Sequence, residues 1–84
     1  MSNALNEIEA AIAAIDKHLN TIREPGLSDQ FDEQIRRFRG KLVAMQTGTH
    51  DQADRSMSRA IADGWPFTSR LGELIVKAEQ KYGC

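Results

Sequence analysis

Leu5, Ile8, Ile12, Ile15, Leu19 and Ile22 follow one another at spacings of three and four, and Phe31, Ile35, Phe38, Leu42 and Met45 repeat the rhythm. That alternation lines apolar side chains along one stripe of a 3.6-residue helix, so each run specifies a helix with a face that must be covered. Between the runs stands Glu24-Pro25-Gly26. Proline lacks the amide that a continuing helix needs, and glycine accepts the left-handed conformation of a helix exit. Two seamed helices on either side of so short a break fold back on each other. The pattern therefore predicts a long antiparallel αα-hairpin, about 4–24 and 28–46. Ser2 or Asn3 is placed to cap the first helix and Ser28 or Asp29 the second, because a short polar side chain there accepts a free amide hydrogen. Asp29, Asp32 and Glu33 then sit near the positive end of the second helix dipole.

The remainder carries weaker helical patterns. "TGTHDQ" closes the second helix, with Gly48 as its exit, and Thr49 with Gln52 fits a capping box for the next start. A third helix, about 51–63, has a narrow stripe of Ala53, Met57, Ala60 and Ile61, broken at Gly64-Trp65-Pro66. Thr68 or Ser69 caps a fourth, about 68–82, with Leu71, Leu74, Ile75, Ala78 and Tyr82 on one side. No strand-like alternation and no internal repeat occurs. The expected fold is all-α: a small helical bundle, a long hairpin followed by two shorter helices, in a single helical domain 1–84. The two long seams hold more apolar side chains than two helices facing each other would cover; the two shorter helices lying across the hairpin, or a second chain, would bury the excess, and the long heptads in a small chain predict a homodimer.

Charge limits the partners. Eleven basic and twelve acidic side chains leave a net charge of −1, which is not the footprint of a general nucleic-acid or membrane-surface binder. The basic residues nevertheless cluster in "QIRRFRGK", where Arg36, Arg37, Arg39 and Lys41 fall within six positions. Each helical residue is rotated by about 100° from the last, so these four side chains surround the helix and do not line one stripe. Asp32 and Glu33 stand one turn before Arg36 and Arg37, in the acid-first order that stabilises a helix by about 0.2–0.5 kcal/mol per pair. The cluster therefore reads first as a solvated, ion-paired face bordering a helix contact. Nucleic-acid binding through it is the alternative. Gly40, mid-helix and opposite the seam, should cost about 1 kcal/mol relative to alanine; it is either an imperfect residue that is tolerated or, the reading preferred, a point where another helix crosses close to the backbone.

"DGWPF" offers Trp65 and Phe67 around Pro66, residue types that either anchor an interface or fold back to plug the end of a bundle. The same stretch invites a helix-turn-helix reading. Ser69, Arg70, Gly72 and Glu73, the side chains then offered to solvent, form a poor set for reading base edges. His18 and His50 have no nucleophile or second ligand at catalytic or metal spacing, and neither a phosphate loop nor a nucleophile elbow is present. No enzymatic activity, metal, cofactor or small-molecule substrate is expected. No apolar run reaches the roughly 18 residues of a membrane span, and the N-terminus lacks the pattern of a secretory signal, which makes the cytoplasm the default address. The single cysteine, Cys84, cannot close an internal disulfide. The functional expectation is a small protein-protein interaction module, of the bacterial or phage accessory, adaptor, chaperone or immunity type. Its candidate partner-binding residues are Arg36, Arg37, Arg39, Gly40, Lys41, Trp65 and Phe67.

Overall fold

In the computed structural model, residues 4–66 and 68–83 are described, and the chain is all-helical through them, with no strand. Helix α1 spans Leu5–Asn20, α2 Asp32–Gln46, α3 Ser56–Gly64 and α4 Arg70–Tyr82, with a 3-10 turn at Asp29–Phe31 leading into α2. Helix α1 is the centre of the bundle: it packs against α2 on one side and α4 on the other, and α3 leans on α4. Asp16 meets Arg39 and Arg23 meets Asp32, so α1 and α2 run antiparallel as the seams required.

The two covers of α1 change which of its residues are interior. The buried line is Ile8, Ala11, Ile15 and His18, whereas Ile12 and Leu19 are half-buried and Leu5 and Ile22 are 38% and 63% exposed. A face clasped from both sides has its centre between the two partners, and that rotation places Ala11 and His18 inside. Of the expected α2 seam, Ile35, Phe38, Leu42 and Met45 are buried, whereas Phe31 is half-buried in the 3-10 turn, because the α-helix starts at Asp32, four residues after its expected start, with no side-chain cap from Ser28. Leu71, Ile75 and Ala78 of α4 close the core from the other side, joined by Met57 of α3, Trp65 and Leu27. Much of the apolar excess that suggested a homodimer is thus taken up by α4.

The helix ends follow local hydrogen bonding. Helix α1 stops at Asn20, four residues short of the expected limit, where the amides of Thr21 and Ile22 both donate to the Lys17 carbonyl. The released segment carries Leu27 into the core at 1% exposure, and Gly26 turns with φ +92°. Helix α2 ends as expected. Gly48 adopts φ +78°, its amide donates to Met45 O, and the Thr49 amide donates to Ala44 O, the paired bonds of a Schellman exit.

Helix α3 begins five residues later than expected and without the Thr49–Gln52 box. Asp51 Oδ1 accepts the Ala53 amide and Asp54 Oδ1 the Ser56 amide, local turns that compete with helix, so Ala53 lies outside it and exposed. Helix α4 starts at Arg70, and of the two expected caps Ser69 serves, its Oγ accepting the Gly72 amide at 3.0 Å. The expected caps of α1, Ser2 and Asn3, lie outside the described residues.

Candidate interaction surface

The basic cluster on α2 is largely neutralised. Arg37 pairs with Glu33 at 2.6 Å, as the one-turn spacing predicted. Asp32, expected to serve Arg36, turns instead to Arg23 and receives two hydrogen bonds at 2.6 and 3.0 Å. Arg39 forks onto Asp16 of α1 at 2.7 and 3.2 Å. Lys41 reaches Ser56 Oγ at 2.7 Å and Asp54 at 3.4 Å, tying α2 to the start of α3. The hydrogen bonds from Arg39 and Arg23 hold the carboxyls of Asp16 and Asp32 below the usual carboxylate range. Only Arg36 of the four cations makes no ion pair among the described residues.

Gly40 is a correction. A Cβ built there would meet nothing within 4 Å, so none of the described helices crosses it. The close approach occurs at Gly72, expected to face solvent, where a Cβ would lie 3.1 Å from Ile61 Cγ2 and 3.2 Å from Trp65 Cε3. Trp65 belongs to the core at 7% exposure, stacked on Phe38 and edge-on to Phe31, each at 5.8 Å between centroids. Its indole N–H donates to Gln34 Oε1 at 2.8 Å. It plugs the bundle and is not a surface knob. Phe67 lies outside the described residues.

The polar groups that are buried hold helix ends. Glu79, with no exposed surface, accepts the Met57 and Ser58 amides at 3.2 and 2.8 Å, capping α3 from α4. Glu24 accepts the Leu71 amide at 2.8 Å and the Ser69 hydroxyl at 2.6 Å, capping α4 from the α1–α2 connection. His18 Nδ1 in turn accepts the Glu24 amide at 2.9 Å. An accepting Nδ1 places the imidazole proton on Nε2, and burial, with Arg23 nearby, lowers the His18 pKa. No group of three or more His, Cys, Asp or Glu residues among those described is arranged to hold a metal ion.

A different basic surface emerges between α1 and α4. Arg70, Leu74, Lys77 and Lys81 recur at spacings of four, three and four, one stripe of α4 that borders α1. Two hollows lie along this trough. One, of about 320 Å³, is lined by Ala14, Lys17, Ile22, Arg70 and Leu74, with Leu71, His18 and Glu24 behind them. The other, of about 340 Å³, is lined by Glu7, Lys77, Gln80 and Lys81. Lys17, Arg70 and Lys81 make no ion pair among the described residues, and Lys77 meets only Glu73, at 3.7 Å with both side chains largely exposed. Lys17 and Arg70 thus border a hollow with an apolar floor, and Lys77 and Lys81 line the polar hollow farther along α4.

No known protein family, curated protein or solved structure matches the chain. Function has to be read from this surface. The α4 stripe was legible in the sequence as charges at helical spacing, but only the pairing of α4 with α1 places Lys17 and Ile22 opposite it.

Proposed function

We propose that the protein is a non-enzymatic interaction module that binds another protein through the α1/α4 face. One observation carries this: an apolar hollow bordered by Lys17 and Arg70, continued along α4 by Lys77 and Lys81, with Ile22 at one end left 63% exposed by the folding of its own chain. Exposed apolar surface ringed by charge is the composition of a protein-binding patch. The half-buried Glu24 and the buried Glu79 and His18 support the same reading, because each accepts a backbone amide and acts as a structural clamp. The lone cysteine fits a reducing compartment, and the proposal places the protein in the cytoplasm.

Photo-crosslinkers placed singly at Ile22, Leu74 and Gly40 in the native host test the proposal. Adducts with a defined partner form from Ile22 and Leu74 and not from Gly40. Equal labelling at all three positions, or none, overturns it.

Self-association is a second reading, favoured by the other flank of α1. Leu5, Ile12 and Leu19 stand at seven-residue intervals there and keep part of their surface open. Sedimentation equilibrium of the wild type and Ile12→Glu decides it. A dimer that the variant dissolves supports this reading, and a wild-type monomer at tens of micromolar removes it. The nucleic-acid alternative through Arg36, Arg37, Arg39 and Lys41 has less behind it, since three of the four already hold carboxylates.

A further inference from the structure

We infer that the α1/α4 trough receives an acidic amphipathic helix of a partner protein, a statement that rests on this face being the docking surface. Length gives the first reason. Eleven residues separate Arg70 from Lys81, about 16 Å of helix at 1.5 Å per residue, so the stripe matches roughly three turns of a partner. Shape gives the second. The α1 wall offers the small Ala14 opposite Arg70 and Leu74, which leaves room for a helix to settle against the taller side chains of α4. Ala14, Leu71 and Leu74 floor the trough and Ile22 closes one end, so one apolar stripe of the incoming helix is covered.

Charge fixes the sign of the rim. Lys17, Arg70, Lys77 and Lys81 face two carboxylates in the lining, Glu7 and Glu24. Both Glu24 oxygens are already bonded to the Ser69 hydroxyl and the Leu71 amide. Carboxylates flanking the partner's apolar stripe would therefore meet Arg70, Lys77 and Lys81 on the α4 wall and Lys17 on the α1 wall, with Glu7 the one opposing charge in the lining besides the bonded Glu24. The lysine stems can lie over the floor while their ammonium groups stay in water, which keeps the unoccupied trough soluble.

Other occupants fit less well. Duplex nucleic acid is gripped by cations around an element that enters its groove, and phosphates gain nothing from a recessed apolar floor. A lipid surface takes a projecting apolar face, and this one is concave. A second copy would have to offer the Leu5–Ile12–Leu19 flank of α1. Asp16 there is already held by Arg39, which leaves Glu9 as its unpaired acid among the described residues. Such a head-to-tail contact between two different patches also builds rings or open chains in place of a simple two-fold dimer.

The test uses the full chain and three fluorescent probe peptides: a helical peptide with leucines on one stripe and glutamates beside it, its lysine counterpart, and a glutamate peptide with alanines for leucines. Only the first should bind. Its affinity should fall as salt is added and drop about tenfold or more, a loss of about 1.4 kcal/mol, in the Arg70→Glu, Lys81→Glu double variant. The lysine peptide should gain affinity for that double variant. Arg36→Glu with Arg37→Glu, on the outer face of α2, should leave binding unchanged.

Absence of binding by the leucine-glutamate peptide at millimolar concentration overturns the inference. So does equal binding of the other two peptides. Preferential binding of random duplex DNA or anionic lipid vesicles, lost in the Arg70→Glu, Lys81→Glu variant, or self-association lost in it, replaces the partner with that occupant. Crosslinks from Ile22 and Leu74 with a silent peptide assay would retain the docking face and reject its acidic partner. Loss of both would reject the face itself.

Discussion

Two glycines on neighbouring helices show how one residue type answers to different surroundings. Gly40 has open space where its side chain would be, and Gly72 has Ile61 and Trp65 within 3.2 Å. Gly40→Ala should therefore raise stability by about 0.5–1 kcal/mol, through helix propensity and a less flexible unfolded chain. Gly72→Ala should lower it by about 1–3 kcal/mol, because the added methyl forces Trp65 or α3 to move in a packed core. Urea denaturation of the two variants checks both signs, and a Gly40→Ala protein that is destabilised would place a partner on that face. Glu79→Gln retains one carbonyl acceptor but loses the charge and the second acceptor for the α3 amides. A loss of about 1–3 kcal/mol is expected by the same measurement. None of these effects was readable from residue identity: Gly40 drew attention because it sits mid-helix, whereas Gly72 and Glu79 matter because of what lies across the bundle.

At the level of elements, helix starts divide into those capped locally and those capped from a distance. Ser69 is a local cap, and its hydroxyl is recognisable from sequence; Ser69→Ala should cost about 1 kcal/mol. Helix α3 has no local side-chain cap and depends on Glu79, 21 residues away from Ser58, with Asp54 bonding the Ser56 amide just before it. The Ser56 hydroxyl and amide hold the Asp54 carboxyl at about 2, with Lys41 adding to the effect. Its folded pKa lies below the unfolded value, so its stabilisation is complete above about pH 4 and is lost as pH falls through about 2. Acid denaturation should show this limb, and Asp54→Asn should flatten it. The expected capping box at Thr49 and Gln52 misled because the Thr49 amide and hydroxyl both go to the Ala44 carbonyl that closes α2, and Asx turns at Asp51 and Asp54 then hold the Ala53 and Ser56 amides.

For the whole molecule, His18 ties the turn after α1 to the start of α4 through Glu24. Its folded pKa is lowered by burial, so the unfolded chain binds the proton more readily. The stabilisation is complete above the ordinary imidazole value of about 6.5 and is lost as pH falls through the lower folded value. Protonation would also remove Nδ1 as acceptor for the Glu24 amide. Urea midpoints from pH 8 to pH 5 should fall in the wild type and change less in His18→Gln. The bundle itself was legible from four periodic segments and three breaks, since spacing, glycine and proline act locally. The α1/α4 trough was not, because it joins charges at 17 and 70–81 that meet only after the chain has folded twice.

The sequence by itself determined four helices, the antiparallel hairpin and the buried face of α2, because helical period, glycine exits and proline breaks operate over a few residues. It also held the Glu33–Arg37 pair, which needs only one turn of helix. Tertiary structure decided the rest. It rotated the buried face of α1 by covering it from both sides, and it took Asp32 from Arg36 and gave it to Arg23. It drew Trp65 inward and left Lys17, Ile22, Arg70, Leu74, Lys77 and Lys81 around one trough. Those outcomes depend on which helix lies beside which, and burial and charge pairing are properties of that neighbourhood.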